Sequence, residues 1–507
     1  MPVAEVRTVQ NERVDACPPI ATWEVAAVAV VAGVVAALSA CRYGYYYDEL
    51  YFIAAGKRLA WSYVDQGPLV PLLARGIDWA FPGSFAALRI PAIVAAVVIV
   101  VFSAVIAREL GGGRFAQVLV AAACATSVCA LGQNQRLTTN GIDTALWVLL
   151  AWLIVRWVRT RSDALLLAAG VVTVAALEVK WLAPVFWVVI LVAAASLGPR
   201  ELLRRPALWC SAALVVVCAS PMLVWQANHG WPQVGMGAVV RGQTTGLAGG
   251  LLAFLPGVAE MCGPLGAVLL VYGVWRLWRS PQLRPYRFVG LAFLLMVIIF
   301  AATGGRTEYG AGLYVAVMAA GAVELAAVVR TRRAAVAVAA AVVVSVVAFV
   351  VWQTPWRSAS QLTPAADFAA GVNGQAYGEF GWKELTAAVA GVYQRMPPEQ
   401  RRTAVIVTER YIQASALDYD REGAGLPAIY SPKRGFGYFG NPPETAQTVI
   451  WVGSTAQGLQ RWFISVVPAG TLDVRLGMPL VTRDVTVWIC NGPRRPWSSL
   501  WPTMMDL

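Results

Sequence analysis

Residues 87–107 read ALRIPAIVAAVVIVVFSAVIA, an apolar run with a single charge near its start. As a helix rising 1.5 Å per residue it is about 30 Å long, the thickness of a bilayer's hydrocarbon core. Ten more runs of this kind lie between residues 21 and 353, at 21–41, 115–132, 142–158, 164–179, 182–198, 207–226, 262–277, 287–303, 309–329 and 334–353. Lys180 and Trp181 are the only break between the run ending at 179 and the next. The reading is eleven spanning helices. Composition agrees: 58% of the 507 residues are hydrophobic and 13% charged, and mean hydropathy is +0.61. A soluble domain carries about 25% charged residues, so the natural solvent of this chain is lipid.

A formal net charge of +12 would suggest nucleic acid in a soluble protein, but here the arginines sit between apolar spans rather than on a polar surface with interleaved aromatics, which argues against it. With a cytoplasmic N-terminus, the inner connections hold Arg108 and Arg114, then Arg156, Arg159 and Arg161, then Arg200, Arg204 and Arg205, then Arg276 to Arg287, then Arg330 to Arg333. The short outer connections have Arg136, Lys180 and Arg306 nearly alone. That asymmetry orients the chain, and an odd number of spans puts its C-terminal region outside. Residues 1–20 are polar and read as a cytoplasmic tail ahead of an uncleaved first helix. His229 is the single histidine, and the eight cysteines form no CxxC or Cys/His pattern, which excludes zinc-type sites.

Two outer loops are large. In the first, residues 42–86, Glu49 to Tyr63 reads as an amphipathic interfacial helix with Leu50, Ile53, Leu59 and Trp61 toward lipid and Lys57 and Arg58 toward water. The second, residues 226–260, contains Asn228-His229-Gly230-Trp231-Pro232 and a glycine-rich run. After residue 353 polar residues return. Helical spacing over Glu384–Arg395 and β-rich runs at Ala404–Thr408, Thr448–Val452 and Val485–Cys490 predict a small α/β domain.

Tyr45-Tyr46-Tyr47-Asp48-Glu49 puts two carboxylates at a membrane surface. Low dielectric nearby favours a general base; a solvated cap on the following helix is the alternative. Asp65-Gln66-Gly67-Pro68-Leu69-Val70-Pro71 makes a rigid turn that either re-enters the membrane or shapes a substrate. Asp143 heads the fourth span behind a polar loop containing Arg136, as a functional acid or an N-cap. Lys180 and Arg306, the latter in Gly304-Gly305-Arg306-Thr307-Glu308-Tyr309, either bind phosphate or snorkel to the interface. His229 is a participant or a structural turn residue.

The strings Tyr47-Asp48-Glu49-Leu50-Tyr51-Phe52, Asp65 to Pro71, Asn228 to Pro232 and Gly304-Gly305-Arg306 resemble bacterial protein O-mannosyltransferase-like, ArnT-like glycosyltransferases of the GT-C superfamily. The likeness extends into Glu379-Phe380-Gly381-Trp382-Lys383-Glu384-Leu385 and Gly425 to Ser431. It implies a GT-C membrane domain over 21–353 and an extracytoplasmic α/β domain over 354–507. It also implies a polyprenyl-phosphate-linked sugar donor, mannose favoured, and a hydroxyl acceptor on a glycan, lipid, secreted protein or natural product outside a bacterial plasma membrane. By the resemblance Asp48, with Glu49 adjacent, and Asp143 are the catalytic acids, and Arg306 faces the donor phosphate. Read beside these, Lys180 and Tyr309 are further phosphate-side candidates, and Tyr47, Asp65, Gln66, Arg136 and His229 are substrate-loop candidates. Some relatives bind a divalent metal; the sequence offers carboxylates and no dedicated cage. Gln66-Gly67 stands where relatives often have His-Pro, and Arg306 where they often have Lys.

The chemistry implied is displacement at an anomeric carbon with inversion, needing a base, cationic support for phosphate and alignment of both. The competing reading is a transporter or flippase of a lipid-linked substrate. That reading calls for ionisable residues at mid-membrane and discontinuous repeats, whereas the polar candidates here gather toward one face.

Overall fold

The computed structural model describes residues 17–247, 250–374, 376–453, 455–456 and 458–507. The predicted tail therefore lies largely outside the described residues. In chain order the helices are α1 (Thr22–Ala40), α2 (Tyr47–Gly56), α3 (Leu69–Ala80), α4 (Ile90–Glu109), α5 (Arg114–Ala125), α6 (Thr139–Thr160) and α7 (Asp163–Val179). They continue with α8 (Ala183–Leu197), α9 (Pro206–Asn228), α10 (Pro232–Leu247), α11 (Gly250–Arg279), α12 (Arg287–Thr303), α13 (Ala311–Val328) and α14 (Arg332–Gln353). Later come α15 (Trp382–Arg395), α16 (Tyr411–Tyr419), α17 (Arg434–Gly437) and α18 (Trp497–Met504).

Every predicted apolar run is helical. Among the described residues, eight helices are long and apolar enough to cross a membrane, so the expected count of eleven is not reached. The other three runs form shorter helices, α5 with 12 residues, α7 with 17 and α8 with 15. The run 115–132 is cut because Thr126 and Ser127 turn their hydroxyls back onto preceding carbonyls, and a π-turn over Val128–Gly132 follows. Such side-chain bonds compete with the helical ladder. The second predicted loop is also mostly helix, since α10 and the start of α11 occupy it.

The chain forms two compact units. The first comprises the segment ending at Ser39 with Arg89–Pro221 and Val240–Thr354. Its axis is α13, buried at every residue from Ala311 to Glu324 and packed against α4, α5, α6, α11 and α12. Lipid gives no hydrophobic drive between helices, so close backbone packing must supply the attraction. A Cβ on Gly273 of α11 would lie 2.1 Å from the Val317 carbonyl oxygen, and one on Gly321 of α13 2.0 Å from that of Leu269. The two backbones touch there.

Charges collect at the helix ends. Glu109, its side chain fully buried, pairs with Arg156 at 3.3 Å and Arg159 at 2.7 Å. Glu324 pairs with Arg276 and accepts from the Ser280 hydroxyl at 2.6 Å. Arg156 and Arg159 close α6, whose other end, at Asn140, is about 30 Å away.

The second unit comprises Ala40–Leu88, Met222–Val239 and Pro355–Leu507. Its five-stranded sheet has the order β2-β1-β3-β5-β4, with β1 (Ala404–Thr408), β2 (Ile429–Tyr430), β3 (Thr448–Gly453), β4 (Phe463–Leu472) and β5 (Val485–Pro493). β1 pairs in parallel with β2 and β3, while β5 is antiparallel to β3 and β4. β1 and β3 are buried throughout, as strands covered on both faces are. Val405, Val407, Val449 and Trp451 pack with Phe463, Trp497 and Trp501, the last two from α18. The sequence pattern finds β1, β3 and β5 and misses two. β2 has two residues, and β4 carries Pro468 with a register shift between Pro468 and Gly470. Proline is tolerated there because the strand is at an edge.

The predicted interfacial helix over 49–63 is corrected. α2 ends at Gly56 and is buried from Glu49 onward, packed on α3 and α16. Leu50 and Ile53 face protein, and Arg58 makes a two-pronged pair with Asp418 at 2.7 and 3.0 Å.

Gly273→Ala and Gly321→Ala are each expected to lower stability by about 1–3 kcal/mol, read as a fall in Tm in detergent. Gly76→Ala, where an added Cβ meets nothing within 4 Å, should leave Tm unchanged or raise it slightly.

Candidate active site

In the second unit the candidate acids begin α2. Tyr46 is its N-cap, and the Glu49 carboxylate accepts the Tyr46 N–H at 2.8 Å. Glu49 therefore closes the helix start. Asp48, one residue earlier and half-buried, accepts the Tyr411 hydroxyl from α16 at 3.2 Å. Asp65 accepts the Tyr51 hydroxyl at 3.1 Å and faces the Arg434 guanidinium at 3.7 Å. That guanidinium lies 4.9 Å from the Tyr411 ring centre, and the Tyr51 and Tyr411 rings meet edge-on at 5.2 Å. Asp48, Asp65, Tyr51, Tyr411 and Arg434 thus form one cluster, with the Tyr47 ring packed at a tilt against that of Tyr46. Burial holds the Tyr51 and Tyr411 phenols well above the usual range, so both stay protonated and donate.

The other two residues predicted for this unit differ from these. Gln66 is buried, and its carboxamide oxygen and nitrogen both lack a hydrogen-bond partner, which is rare for buried polar groups. His229 is exposed, stacked on Trp225 at 3.9 Å with Nδ1 2.7 Å from the Trp225 carbonyl. It lines a cavity of about 230 Å³ with Arg58, Tyr63, Tyr438 and Phe439.

In the first unit a second polar cluster lies at the Asn140 end of α6. Lys180, just past α7, donates to Asn140 Oδ1 at 2.5 Å, and its ammonium lies 4.0 Å from the Tyr309 ring centre. Asn140 reaches Glu308 at 3.4 Å. Arg306 lies 3.7 Å from Glu308 and donates to Gln243 at 2.7 Å. Lys180, Tyr309 and Arg306 are thereby joined through Asn140 and Glu308. Asp143 is buried one turn into α6, its Oδ1 without a hydrogen-bond partner, and the Lys180 charge acts on it. Thr138, accepting the Gly141 N–H, caps that helix. Arg136 is buried in the preceding loop.

Residues 65–225 match the family model described as dolichyl-phosphate-mannose-protein mannosyltransferase. In structure the chain is similar to apo ArnT from Cupriavidus metallidurans, with a TM-score of 0.61 at 14% identity, over 92% of this chain and 98% of that one. In fold the chain is ArnT-like, the GT-C fold. The same ArnT bound to undecaprenyl phosphate gives 0.58 at 14% identity, over 92% and 97%. The oligosaccharyltransferase AglB from Archaeoglobus fulgidus, with an inhibitory peptide and a dolichol-phosphate, gives 0.47 at 11%, over 78% and 63%. No curated protein matches in sequence.

This GT-C chain is a multi-pass membrane protein. Among its described residues no three His, Cys, Asp or Glu side chains converge as metal ligands; the cation at Asp65 is Arg434. Sequence reasoning missed Tyr411, Arg434, Asn140, Glu308 and Gln243 as site residues. Pro432-Lys433-Arg434-Gly435-Phe436-Gly437 carried a signal, a cation immediately before a Gly-x-Gly pair. Gly435 is needed because a Cβ there would lie 2.0 Å from the Tyr51 hydroxyl.

Gly435→Ala should therefore destabilise this ArnT-like chain by about 1–3 kcal/mol. Adding Tyr51→Phe, which removes the struck hydroxyl, should recover part of the lost Tm. A double variant no better than Gly435→Ala alone would deny that contact.

Proposed function

We propose that the chain transfers a sugar, mannose favoured, from a polyprenyl-phosphate carrier to an acceptor hydroxyl outside a bacterial plasma membrane, with inversion. The observation that carries the reading is the Lys180–Asn140–Glu308–Arg306 cluster at one end of otherwise apolar spanning helices. A donor with a long apolar tail and an anionic head needs cations at that depth, where the tail stays in lipid and the phosphate meets charge. The family description over residues 65–225 names a lipid-phosphate mannose donor, and the similar ArnT has been solved with undecaprenyl phosphate. The arginine asymmetry supports a cytoplasmic N-terminus, and the external C-terminal region proposed here requires that α5, α7 and α8 cross as well, for an odd total of eleven.

In this reading Asp48 takes the proton from the acceptor hydroxyl as its oxygen attacks the anomeric carbon. The carbon–oxygen bond to the lipid phosphate breaks, and Arg306 and Lys180 stabilise the charge that leaves with it. A phosphate is already a good leaving group, so no strong acid is required. Asp143 orients the donor, and Glu49 serves by fixing the start of α2. Tyr47, Asp65, Gln66, Arg136 and His229 remain substrate-loop assignments, and Tyr309 supports the Lys180 ammonium.

Asp48→Asn should lower transfer from radiolabelled polyprenyl-phosphate mannose by about 10²–10⁴-fold, with expression and membrane insertion unchanged; near-normal turnover removes Asp48 from the base role. Arg306→Ala should weaken donor binding on the order of 10-fold or more, and unaltered donor affinity refutes the phosphate assignment. Vesicle flux of the same lipid without sugar transfer would favour transport instead.

A further inference from the structure

The α17 turn is held in a form that its sequence does not favour. Arg434 has φ +47°, in the left-handed region that side chains with a Cβ avoid. Such conformations persist only where the surroundings over-determine them, and they cluster at functional sites. The strained residue delivers its guanidinium to the Asp48–Asp65–Tyr51–Tyr411 cluster. Its neighbour Gly435 is pressed so closely on Tyr51 that no side chain fits.

We propose that Arg434 and Tyr411 are positioning residues for Asp48, a clamp by which the C-terminal domain aims the base. The inference rests on the reading of Asp48 as that base. Tyr411 fixes one carboxylate oxygen by donating to Oδ1 at 3.2 Å. Arg434 fixes Tyr411 by covering its ring at 4.9 Å, and it anchors the assembly to the Asp65 loop at 3.7 Å. Tyr51 completes the frame, donating to Asp65 and packing edge-on against Tyr411. The charged and titratable groups facing one another are Tyr47, Asp48 and Tyr51 on α2, Asp65 on the following loop, Tyr411 on α16 and Arg434 on α17, with Glu49 adjacent in sequence. Burial works against the Arg434 charge, and Tyr411, Asp65 and Asp48 together outweigh it, so the guanidinium stays charged. The fixed cation faces both carboxylates, and an ionised Asp48 is the form that accepts a proton.

A merely structural role and a positioning role differ in what they move. The reaction is followed with polyprenyl-phosphate mannose in detergent for Tyr411→Phe, Arg434→Lys and Arg434→Gln, with Tm measured in parallel. Tyr411→Phe and Arg434→Gln should lower kcat on the order of 10²-fold while the donor KM stays within about twofold of wild type, as expected when only transition-state alignment is lost. Arg434→Gln removes a cation beside carboxylates and so favours their protonated forms. The acid limb of its kcat/KM profile should move to higher pH. Arg434→Lys keeps the charge and should return the limb toward its wild-type place. Combined with Asp48→Asn, neither Tyr411→Phe nor Arg434→Gln should lower the rate further, because each acts through Asp48. An inactive Asp48→Asn beside wild-type kcat and pH limb in Tyr411→Phe and Arg434→Gln would overturn the clamp and leave the base intact. Losses that multiply in the double variants, or that follow Tm alone, would overturn it too. Near-normal turnover in Asp48→Asn would remove both.

Discussion

Lipid offers no hydrogen bonds. Every backbone amide inside it must be satisfied within its own segment, and every polar side chain there carries a solvation cost. The first unit follows from that constraint. Its spans are helices, their association rests on backbones brought together at Gly273 and Gly321, and their ionic groups gather at the two ends. At one end Glu109 and Glu324 are consumed by arginines. At the other, Lys180, Asn140, Glu308 and Arg306 form a network whose partners are carboxamides as well as carboxylates. Carboxamides hold a cation in place without cancelling its charge, as the proposed phosphate role requires.

The second unit solves a different problem with water close by. Its parallel strands β1 and β3 are buried on both faces, and its clustered polar side chains lie on α2, α16, α17 and the Asp65 loop. The sheet gives rigidity, while the short elements present side chains. Asp48 and Glu49 show how adjacent carboxylates are divided between tasks. At the third helical position Glu49 reaches back to the cap; at the second, Asp48 points to Tyr411. Sequence proximity put them in one motif, and helical geometry separated their roles.

Much of the helical architecture was legible, because apolar length is a local signal that reports directly on lipid. The Lys180-Trp181 break falls between α7 and α8 as expected. What local pattern missed has local physical causes. Thr126 and Ser127 interrupt a run that hydropathy alone joins. Pro468 and the irregular register of β4 hide a strand. The burial of Leu50 and Ile53 depends on α16, which no reading of residues 49–63 contains. The candidate site was legible only where its residues share a local motif. Asp48 and Arg306 lie in motifs with family likeness, but Tyr411 and Arg434 reach Asp48 and Asp65 from more than three hundred residues away, and only the fold brings them there.

The irregularity of β4 has one more effect. The sheet has two edges. One is β2, two residues long; the other is β4, where proline removes an amide and the bulge bends the strand. Neither offers a straight run of unpaired amides to another chain. A protein confined to a two-dimensional film meets copies of itself far more often than one free in solution. With both borders of its sheet blunted, such encounters meet little backbone that another strand could zip onto.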